Sequence, residues 1–434
     1  MIIYIISIAI ALIAVKIWAA KQPMVLHGIV VCCYALGNPV TNKLQFAIVV
    51  VWMACLLIRK IRGRERFTLT SCALLLIVSG TWWLISGIIG LNQSQTIGMD
   101  AFSSAILSPY GNGVLWGIII ISTVREVGVL RRLCWIYVVV RFIELAVIGS
   151  IVYLVDFGWW DTVRELLPQL QWDYNVEQPR LISLGVRNAC DSGFLLVSII
   201  GFIFGRYYCK QNFKTGLMLF ASLFALVLTW TRGAWLAFAL QIMLLLCLKR
   251  RISKSFAAIM LIGVLLVTPF VGGYVYREAV AGSQMRLLSD ASTNYRFQLY
   301  AQHLAVLPHV PMLHGLYEKY EFIGKKFGIY PSQSSENYLV DTFERHGWMA
   351  GILTVMTCLA FIYLCFANSR YANRYKLNLD DAAFIHALSA TYLALFTLGL
   401  ITMPLRVEVY WIFGAMLIAA HNALRHEQVS TEYS

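Results

Sequence analysis

Long runs of apolar residues dominate the chain and are separated by short polar segments. The runs are apolar all round rather than along one stripe, and several approach the roughly 20 residues that a helix needs to cross a bilayer. No period-2 alternation typical of a β-barrel appears, and a helix satisfies its own backbone amides in lipid. We therefore expect an all-α, polytopic integral membrane protein. The apolar runs are Met1–Val15, Leu69–Gly90, Leu133–Val155, Gly216–Thr229, Ala234–Leu248, Phe256–Tyr274, Gly347–Phe366 and Phe384–Ile401.

Composition agrees with a membrane protein. Hydrophobic residues make up 59% of the 434 residues and charged residues only 13%, whereas a soluble domain carries about a quarter charged residues. No positive residue precedes Met1–Val15 and no small-residue cleavage site follows it, so we expect a retained first helix rather than a signal peptide. The ten cysteines lie in or beside apolar runs without metal-type spacing, which predicts neither a disulfide framework nor a metal site.

The net charge of +13 is concentrated in short loops. Such a charge could indicate nucleic-acid binding, but the positive-inside rule explains it better, so no nucleic-acid partner is expected. Counting spans places all the basic loops on one side of the membrane, which we take as cytoplasmic, together with the C-terminal tail Arg425–Ser434. These loops are Arg59–Arg66, Arg131-Arg132, Arg206–Lys214, Lys249–Lys254 and Arg370–Lys376.

The opposite side receives the longer connections. The largest is Tyr276–His346 and a smaller one is Asp156–Arg187, within a single membrane domain that covers residues 1–434. The count is about twelve or thirteen helices, depending on whether the short run Met24–Leu36 crosses the membrane. Other segments expected on this side are Leu91–Gly113, the turn Trp230–Gly233 and the turn Pro404–Glu408.

The large loop is predicted to form a helical cap, because loops of this length are usually functional or disordered and this one is not low in complexity. Apolar residues at helical spacing predict a helix over Asn294–Leu307, which Pro308 and Pro311 end. A second helix is predicted to begin near Ser334-Ser335, where either serine can cap it, and to run through Phe343.

Arg232 stands between two apolar runs at the face opposite the basic loops. An ionisable residue at membrane depth costs roughly 2.5 kcal/mol or more and is a functional hypothesis by default. The alternative is that the side chain extends to the interface and serves no ligand. Both interpretations stay open from the residues alone.

The chain resembles the O-antigen ligase and polymerase superfamily, which are membrane glycosyltransferases that act on lipid-linked glycans. The order and spacing of several short stretches in the second half of the chain carry the resemblance. They are Thr231–Ala237, Asn294–Tyr300 running through Pro311–Gly315, and Ser335–Leu339 followed by Gly347 and Gly351, with a weaker likeness at Arg180 and Asn188. Ligases carry a histidine where this chain has Glu336, which favours a polymerase.

The resemblance implies a GT-C-like fold in the bacterial inner membrane, with the active site facing the periplasm. It implies a metal-independent glycosyltransferase that uses undecaprenyl-pyrophosphate-linked oligosaccharide, in contact with membrane lipid, and that can work with a chain-length regulator protein. No cofactor is expected, because the donor already carries the energy of the reaction. Arg232 and Arg296 would hold the departing pyrophosphate, because the guanidinium group binds phosphate oxygens bidentately.

Glu336 is the candidate base for the acceptor hydroxyl, and its alternative role is to satisfy a helix dipole in a first turn. The remaining site candidates are assigned to substrate binding, and three further histidines of the loop region are expected to be interfacial or structural. The substrate-binding candidates are Arg180, His314, Asn337 and Asp341, and the histidines are His303, His309 and His346.

The main hypothesis is an O-antigen polymerase, or a polymerase of a similar surface polysaccharide. The first alternative is an O-antigen ligase that transfers the glycan to lipid A core. The alternative from another class is a lipid-linked sugar transporter or flippase. Paired repeats and matching broken helices, which are typical of transporters, do not appear. A flippase would also need charges that line a central cavity, whereas here the charges are expected to cluster on the external face.

Overall fold

The computed structural model describes residues 2–19, 22–36, 39–62, 70–93, 110–151, 181, 189–229, 231–249, 302–313, 337–374, 377–401 and 407–432. Every regular element within these ranges is helical, which confirms the predicted all-α fold. The α-helices are α1 Ile2–Trp18, α2 Pro23–Leu36, α3 Pro39–Ile61, α4 Ser71–Gln93, α5 Trp116–Thr123, α6 Val127–Arg141, α7 Ala189–Cys209, α8 Phe213–Leu228, α9 Arg232–Lys249, α10 Tyr338–Arg374, α11 Leu379–Ile401 and α12 Val407–Glu432.

The described residues also form short helical segments that are not α-helical. Two π-helical segments, Tyr110–Leu115 and Phe142–Gly149, precede α5 and follow α6 without interruption. Residues 302–306 are helical and lead into the 3-10 turn Leu307–His309. The predicted run Phe256–Tyr274 lies outside the described residues.

Five of the described helices are long and apolar enough to cross a membrane, and shorter apolar helices lie among them. The protein is therefore a multi-pass membrane protein, as predicted. α1 illustrates this, because its described isoleucines and its leucine, from Ile6 to Ile17, are exposed while Ala11 and Ala14 are buried. A soluble protein would bury such a surface, whereas lipid covers it at no cost. The short run that left the helix count open is α2, a 14-residue helix packed against α3 and α6.

The C-terminal helix α12 lies in the centre of the bundle. Its side chains from Val409 to Leu424 are almost all buried, and it contacts α4, α5, α6, α10 and α11. Small residues allow these helices to approach closely: a Cβ atom added to Gly117 of α5 would lie 2.9 Å from the Cβ of Ala415. Close approach at small residues is the usual basis of helix association in membranes.

The predicted basic loops gather at one end of the bundle, which we call the basic end. Arg131 at the start of α6 forms an ion pair of 2.8 Å with Asp381 at the start of α11. Lys210, just after α7, pairs with the adjacent Asp380 at 2.6 Å. In addition, the Asn373 amide near the end of α10 donates to the carbonyl of Leu248 near the end of α9. Helix ends beside four of the five predicted basic loops therefore meet in these contacts.

The opposite end holds the described parts of the large loop, and we call it the loop end. It contains Leu181, the α8–α9 turn, residues 302–313, the start of α10 and the end of α11. Backbone and side-chain hydrogen bonds join these parts, for example from Leu181 to Leu228 and from Asn337 to Leu400.

Candidate functional site

The α8–α9 turn places Arg232 at the first position of α9. Thr229 and Thr231 form this turn: the Thr229 hydroxyl accepts from the Thr231 amide at 3.3 Å, and the Thr231 hydroxyl donates to the Thr229 carbonyl at 3.1 Å. Both threonines are buried. The turn packs closely on Gly193 of α7, where an added Cβ would lie 2.8 Å from the Cβ of Ala234. Arg232 therefore starts its helix on a well-supported turn.

Leu181 brings the neighbourhood of Arg180 to the same turn. Its backbone N–H donates to the carbonyl of Leu228 at 3.0 Å, four residues before Arg232. The Leu181 side chain is buried and packs over Gly149 at the end of the π-helical segment. Leu181, the residue after Arg180, thus bonds to the turn that precedes Arg232.

Asn337 caps the start of α10. Its side-chain oxygen accepts from the amides of Leu339 and Val340 at 3.0 and 3.1 Å, and its amide nitrogen donates to the carbonyl of Leu400. A helix here was predicted and is confirmed, but the expectation that a serine at 334 or 335 caps it is wrong. Asparagine accepts the unpaired first-turn amides as well as serine does.

Two acidic residues, Glu336 and Asp341, stand near this cap in the sequence. The acidic residue in the first turn is Asp341, whose buried carboxylate lies 3.6 Å from the Arg345 guanidinium. Asn337 accepts from the amides of Leu339 and Val340, and Asp341 is the acid in the first turn of the described helix. Glu336 lies outside the described residues, so both roles considered for it stay predictions.

Residues 302–313 dock on the start of α10. The His303 Nδ1 atom lies 2.9 and 2.7 Å from the two carboxylate oxygens of Glu344, and both side chains are buried. The Trp348 indole donates to the carbonyl of Leu307 at 3.0 Å. The described residues 302–313 of the large loop are partly helical and pack on α10, whereas the prediction that the whole loop forms a helical cap stays a prediction.

The predicted helix that ends near Pro308 is confirmed over residues 302–306, and its remainder lies outside the described residues. The exposure of its side chains shows which face of this helix packs against the protein. Leu304, on the predicted apolar face, is exposed, whereas His303 and Val306 point inward. The buried face is thus set by the His303–Glu344 pair rather than by the apolar spacing.

One hydrogen bond shows that Arg232 and Asn337 lie at the same level of the bundle. Gln241 of α9 donates to the hydroxyl of Thr391 of α11 at 2.8 Å. The two helices are antiparallel, because the end of α9 and the start of α11 both lie at the basic end. Arg232 lies nine residues from Gln241 toward the loop end, and Leu400 lies nine residues from Thr391 in the same direction, so the two residues are at the same level. The carbonyl of Leu400 accepts the hydrogen bond from Asn337.

Comparison with known families agrees with this geometry. Residues 217–355 match the O-antigen ligase family. We call the matched residues 217–355 the ligase-family domain. The match supports the resemblance to the O-antigen ligase and polymerase superfamily and supports a glycosyltransferase-like enzyme of polysaccharide biosynthesis. No curated protein matches the chain.

The ligase-family domain includes most of the predicted site residues, whereas Arg180 precedes it. The Arg232 side chain and residues Arg180, Arg296, His314 and Glu336 lie outside the described part of the structure, so their roles stay predictions. The substrate-binding roles of Asn337 and Asp341 also stay predictions, since both make the structural contacts given above.

The three histidines that were expected to be interfacial or structural occupy different environments within the ligase-family domain. His346 is buried, lies 3.1 Å from the Ser86 hydroxyl and stacks on Trp83 with ring centroids 3.8 Å apart. His309 is exposed on the 3-10 turn. The expected structural or interfacial roles therefore agree with the packing of His346 and the exposure of His309, and His303 pairs with Glu344.

One charged pair upstream of the ligase-family domain was missed from the sequence. Arg141 and Glu144 form an ion pair of 2.5 Å with side chains that are 0% and 6% exposed, and the guanidinium lies 4.8 Å from the ring centroid of Tyr34. Arg141 is ten residues beyond Arg131, hence about 15 Å from the basic end. This pair therefore lies inside the bundle and not on the external face, where the charges were expected to cluster. The sequence contained an indication of this pair, because Arg141 and Glu144 stand three residues apart inside the apolar run Leu133–Val155.

Proposed function

We propose that this protein is a polymerase that joins lipid-linked oligosaccharide repeats into O-antigen or a similar surface polysaccharide. In this proposal the loop end faces the periplasm. A growing glycan is transferred from undecaprenyl pyrophosphate to a repeat unit that is itself held on the lipid carrier.

The observation that carries the proposal is the common level of two separate parts of the ligase-family domain. The start of α9 at Arg232 lies level with Leu400 of α11, and Asn337, the cap of α10, donates to the Leu400 carbonyl. The neighbour of Arg180 bonds to the same α8–α9 turn. An arginine at this depth suits a donor whose pyrophosphate lies at the membrane interface, because its planar guanidinium binds phosphate oxygens in pairs and stays charged.

The proposed transfer balances without a cofactor. The acceptor sugar hydroxyl attacks the anomeric carbon of the donor, and the bond from that carbon to the pyrophosphate oxygen breaks. Glu336 takes the hydroxyl proton, and undecaprenyl pyrophosphate leaves with the bonding electrons. Arg232 and Arg296 stabilise the charge that develops on the leaving group, which is the kind of electrostatic work that contributes most to such steps.

A ligase is the second candidate, because the family that matches residues 217–355 is described as O-antigen ligase. A ligase would pass the finished glycan to lipid A core instead of to another repeat. The polymerase is preferred because Glu336 stands where the ligases that this chain resembles carry a histidine. The two activities use the same donor and differ in the acceptor.

The surface glycan of a deletion strain separates these functions. We expect core capped with a single repeat in the deletion strain and a ladder of longer products when the wild-type gene is restored. Arg232→Ala, Arg296→Ala and Glu336→Gln should not restore the ladder at normal protein levels. Arg132→Ala is the matched control at the basic end and should restore it fully.

Other patterns would contradict the polymerase. Bare core with long polymer still on its lipid carrier would indicate a ligase. Bare core with single repeats retained on the cytoplasmic side would indicate a flippase. An unchanged ladder in the deletion strain would contradict all three functions.

A further inference from the structure

We propose that the face of α10 at the basic end is a binding site for an anionic phospholipid, whose phosphate is held by Arg370 and Arg374. The acyl chains lie along the exposed apolar residues that precede these arginines on the same face. The site concerns the surrounding membrane and not the reaction, so it does not rest on the proposed function.

One face of α10 is exposed along most of the spanning part of the helix. Its members recur every three or four residues, which is the spacing of a single helix face. They are large and apolar or aromatic at first, and basic at the end of the helix. In chain order they are Ile352, Met356, Leu359, Tyr363, Phe366, Arg370 and Arg374. The change from apolar to basic side chains matches the change from acyl chain to headgroup in a lipid.

The length of this face fits one leaflet of a bilayer. Arg370 lies one turn before Asn373, which bonds to the end of α9 at the basic end. The hydrocarbon core is roughly 30 Å thick, so one leaflet contributes about 15 Å. The helix rises about 16 Å from Leu359 to Arg370. With Arg370 at the level of the headgroups, the acyl chains of the same leaflet therefore end near Leu359.

The two arginines line one groove with aromatic side chains of the same helix. The volume of the groove is about 450 Å³, within the range of roughly 300–1,000 Å³ that is typical of small-molecule sites. A helical side chain covers the turn that precedes it, so both arginines lean back over the groove. Two guanidinium groups one turn apart suit a phosphate diester, because each can donate paired hydrogen bonds to its oxygens. The lining residues are Tyr363, Phe366, Ala367, Arg370, Tyr371 and Arg374.

Buried contacts with α12 hold one wall of the groove in place. Tyr371 packs edge-on against His421, with ring centroids 5.8 Å apart. His421 shares a hydrogen bond of 2.9 Å with the side chain of Asn368, whose amide donates to the carbonyl of Leu417 at 2.9 Å. Both Asn368 and His421 are buried. A wall that is already ordered loses little freedom when a headgroup binds, which favours affinity.

The charge of this groove also sets it apart from its neighbours at the basic end. Arg131 and Lys210 pair there with Asp381 and Asp380. In the part of the chain that the structure describes, no acidic side chain forms an ion pair with Arg370. A positive charge beside an exposed apolar face in lipid is complementary to an anionic headgroup with its acyl chains.

Lipid binding to the purified full-length protein tests the site. The probes are dioleoylphosphatidylglycerol, which is anionic, and dioleoylphosphatidylcholine, which has the same acyl chains and no net charge. Native mass spectrometry measures how much of each lipid the protein retains across a titration. We expect the wild type to prefer phosphatidylglycerol severalfold. Arg370→Ala/Arg374→Ala should weaken phosphatidylglycerol binding by roughly 10- to 30-fold, because each arginine near an anionic lipid contributes a severalfold gain.

Arg132→Ala/Lys214→Ala is the matched control. It removes two positive charges from exposed positions at the same end, so it measures the general attraction between basic side chains and anionic lipid. We expect it to weaken phosphatidylglycerol binding by less than about threefold. Both double variants change exposed side chains and should elute like the wild type on size exclusion. A phosphatidylglycerol with a photoreactive acyl chain should label the wild type between residues 352 and 374.

A loss of binding that is confined to Arg370→Ala/Arg374→Ala, together with labelling of this face, supports the site. Equal losses in the two double variants would overturn it, because they would show only general surface attraction. Phosphatidylcholine retained as tightly as phosphatidylglycerol would also overturn it, and so would labelling found only elsewhere in the chain. Displacement of the lipid by inorganic phosphate at the same concentration would indicate an anion site that does not recognise lipid.

Discussion

Arg141 and Glu144 lie where α6 becomes π-helical, roughly midway through the bundle. The guanidinium is also near the ring of Tyr137, which in turn shares a hydrogen bond of 2.9 Å with Ser198 of α7. Tyr34 of α2 covers the other side. The pair therefore joins three helices through polar contacts inside an apolar surrounding. π-helical turns often mark such special positions.

Removing one member of this pair should destabilise the protein much more than replacing both members with apolar residues. Arg141→Leu leaves Glu144 buried without its partner and should lower stability by about 3–5 kcal/mol, whereas Arg141→Leu/Glu144→Leu should recover most of that loss. Thermal unfolding of the purified protein in detergent measures both. Arg132→Leu, an exposed arginine at the basic end, serves as the control and should unfold like the wild type. Equal losses in the single and double variants would contradict this account of the pair.

Arg232 should tolerate neither loss of charge nor a change of shape. Arg232→Ala should lower the transfer rate by about 10²–10³-fold, as expected when one donor to a developing charge is lost. Arg232→Lys keeps the charge but not the paired donors, so it should remain clearly impaired. Turnover of a lipid-linked repeat by purified protein measures both variants. Full activity of Arg232→Lys would support the simpler interpretation, in which the side chain only anchors at the interface.

Among the elements, α10 is divided by Gly347. Its backbone has φ 85° and ψ 169°, a conformation that essentially only glycine adopts, so the start of the helix turns away from the spanning part. Gly347 follows the short stretch that carries Glu344 and His346. The break therefore sets the direction of the part of α10 that docks on the loop.

Gly347→Ala should cost about 1–3 kcal/mol of stability and reduce glycan ladder length at a normal amount of membrane-inserted protein. Gly128→Ala is the matched control, because no atom lies near an added Cβ at Gly128 and its φ is not positive. Ladder gels and immunoblots of the complemented deletion strain compare them. Identical ladders from the two variants would mean that the orientation of the helix start does not matter for function.

The elements were more predictable than their contacts. Spanning helices could be predicted because lipid demands long apolar segments whose backbone groups are paired internally. The cap at Asn337 was missed because serine and asparagine are both preferred N-cap residues and Ser334 and Ser335 stand nearby. Only the position at which the helix starts decides which of the three residues caps it. The His303–Glu344 and Arg141–Glu144 pairs were missed because helices that are apolar all round do not indicate which face meets which neighbour.

For the whole molecule, the separation into a basic end and a loop end is the main organising feature. The ion pairs of Asp380 and Asp381 hold the starts of α6 and α11 and the end of α7 together at the basic end. The loop end gathers the described parts of the stretches that carry the family resemblance, which are the α8–α9 turn, residues 311–313 and the start of α10. The positive-inside rule predicts that the basic end is cytoplasmic.

Reporter fusions test this sidedness. Alkaline phosphatase fused after residue 313 should be active, and a fluorescent protein fused after residue 434 should fluoresce, because phosphatase folds only in the periplasm and the fluorescent protein in the cytoplasm. A phosphatase fusion after Lys210 is the control and should be inactive. The reverse pattern would place the proposed site in the cytoplasm and contradict the proposal.

The most direct test of the central claim is the product formed by the purified protein in proteoliposomes with a polyprenyl-pyrophosphate-linked repeat as the only substrate. The account predicts a ladder of lipid-linked oligomers, with one polyprenyl pyrophosphate released per bond formed and no ladder from Arg232→Ala or Glu336→Gln. Substrate that remains a single repeat, but is transferred when lipid A core is added, would contradict the polymerase and establish a ligase.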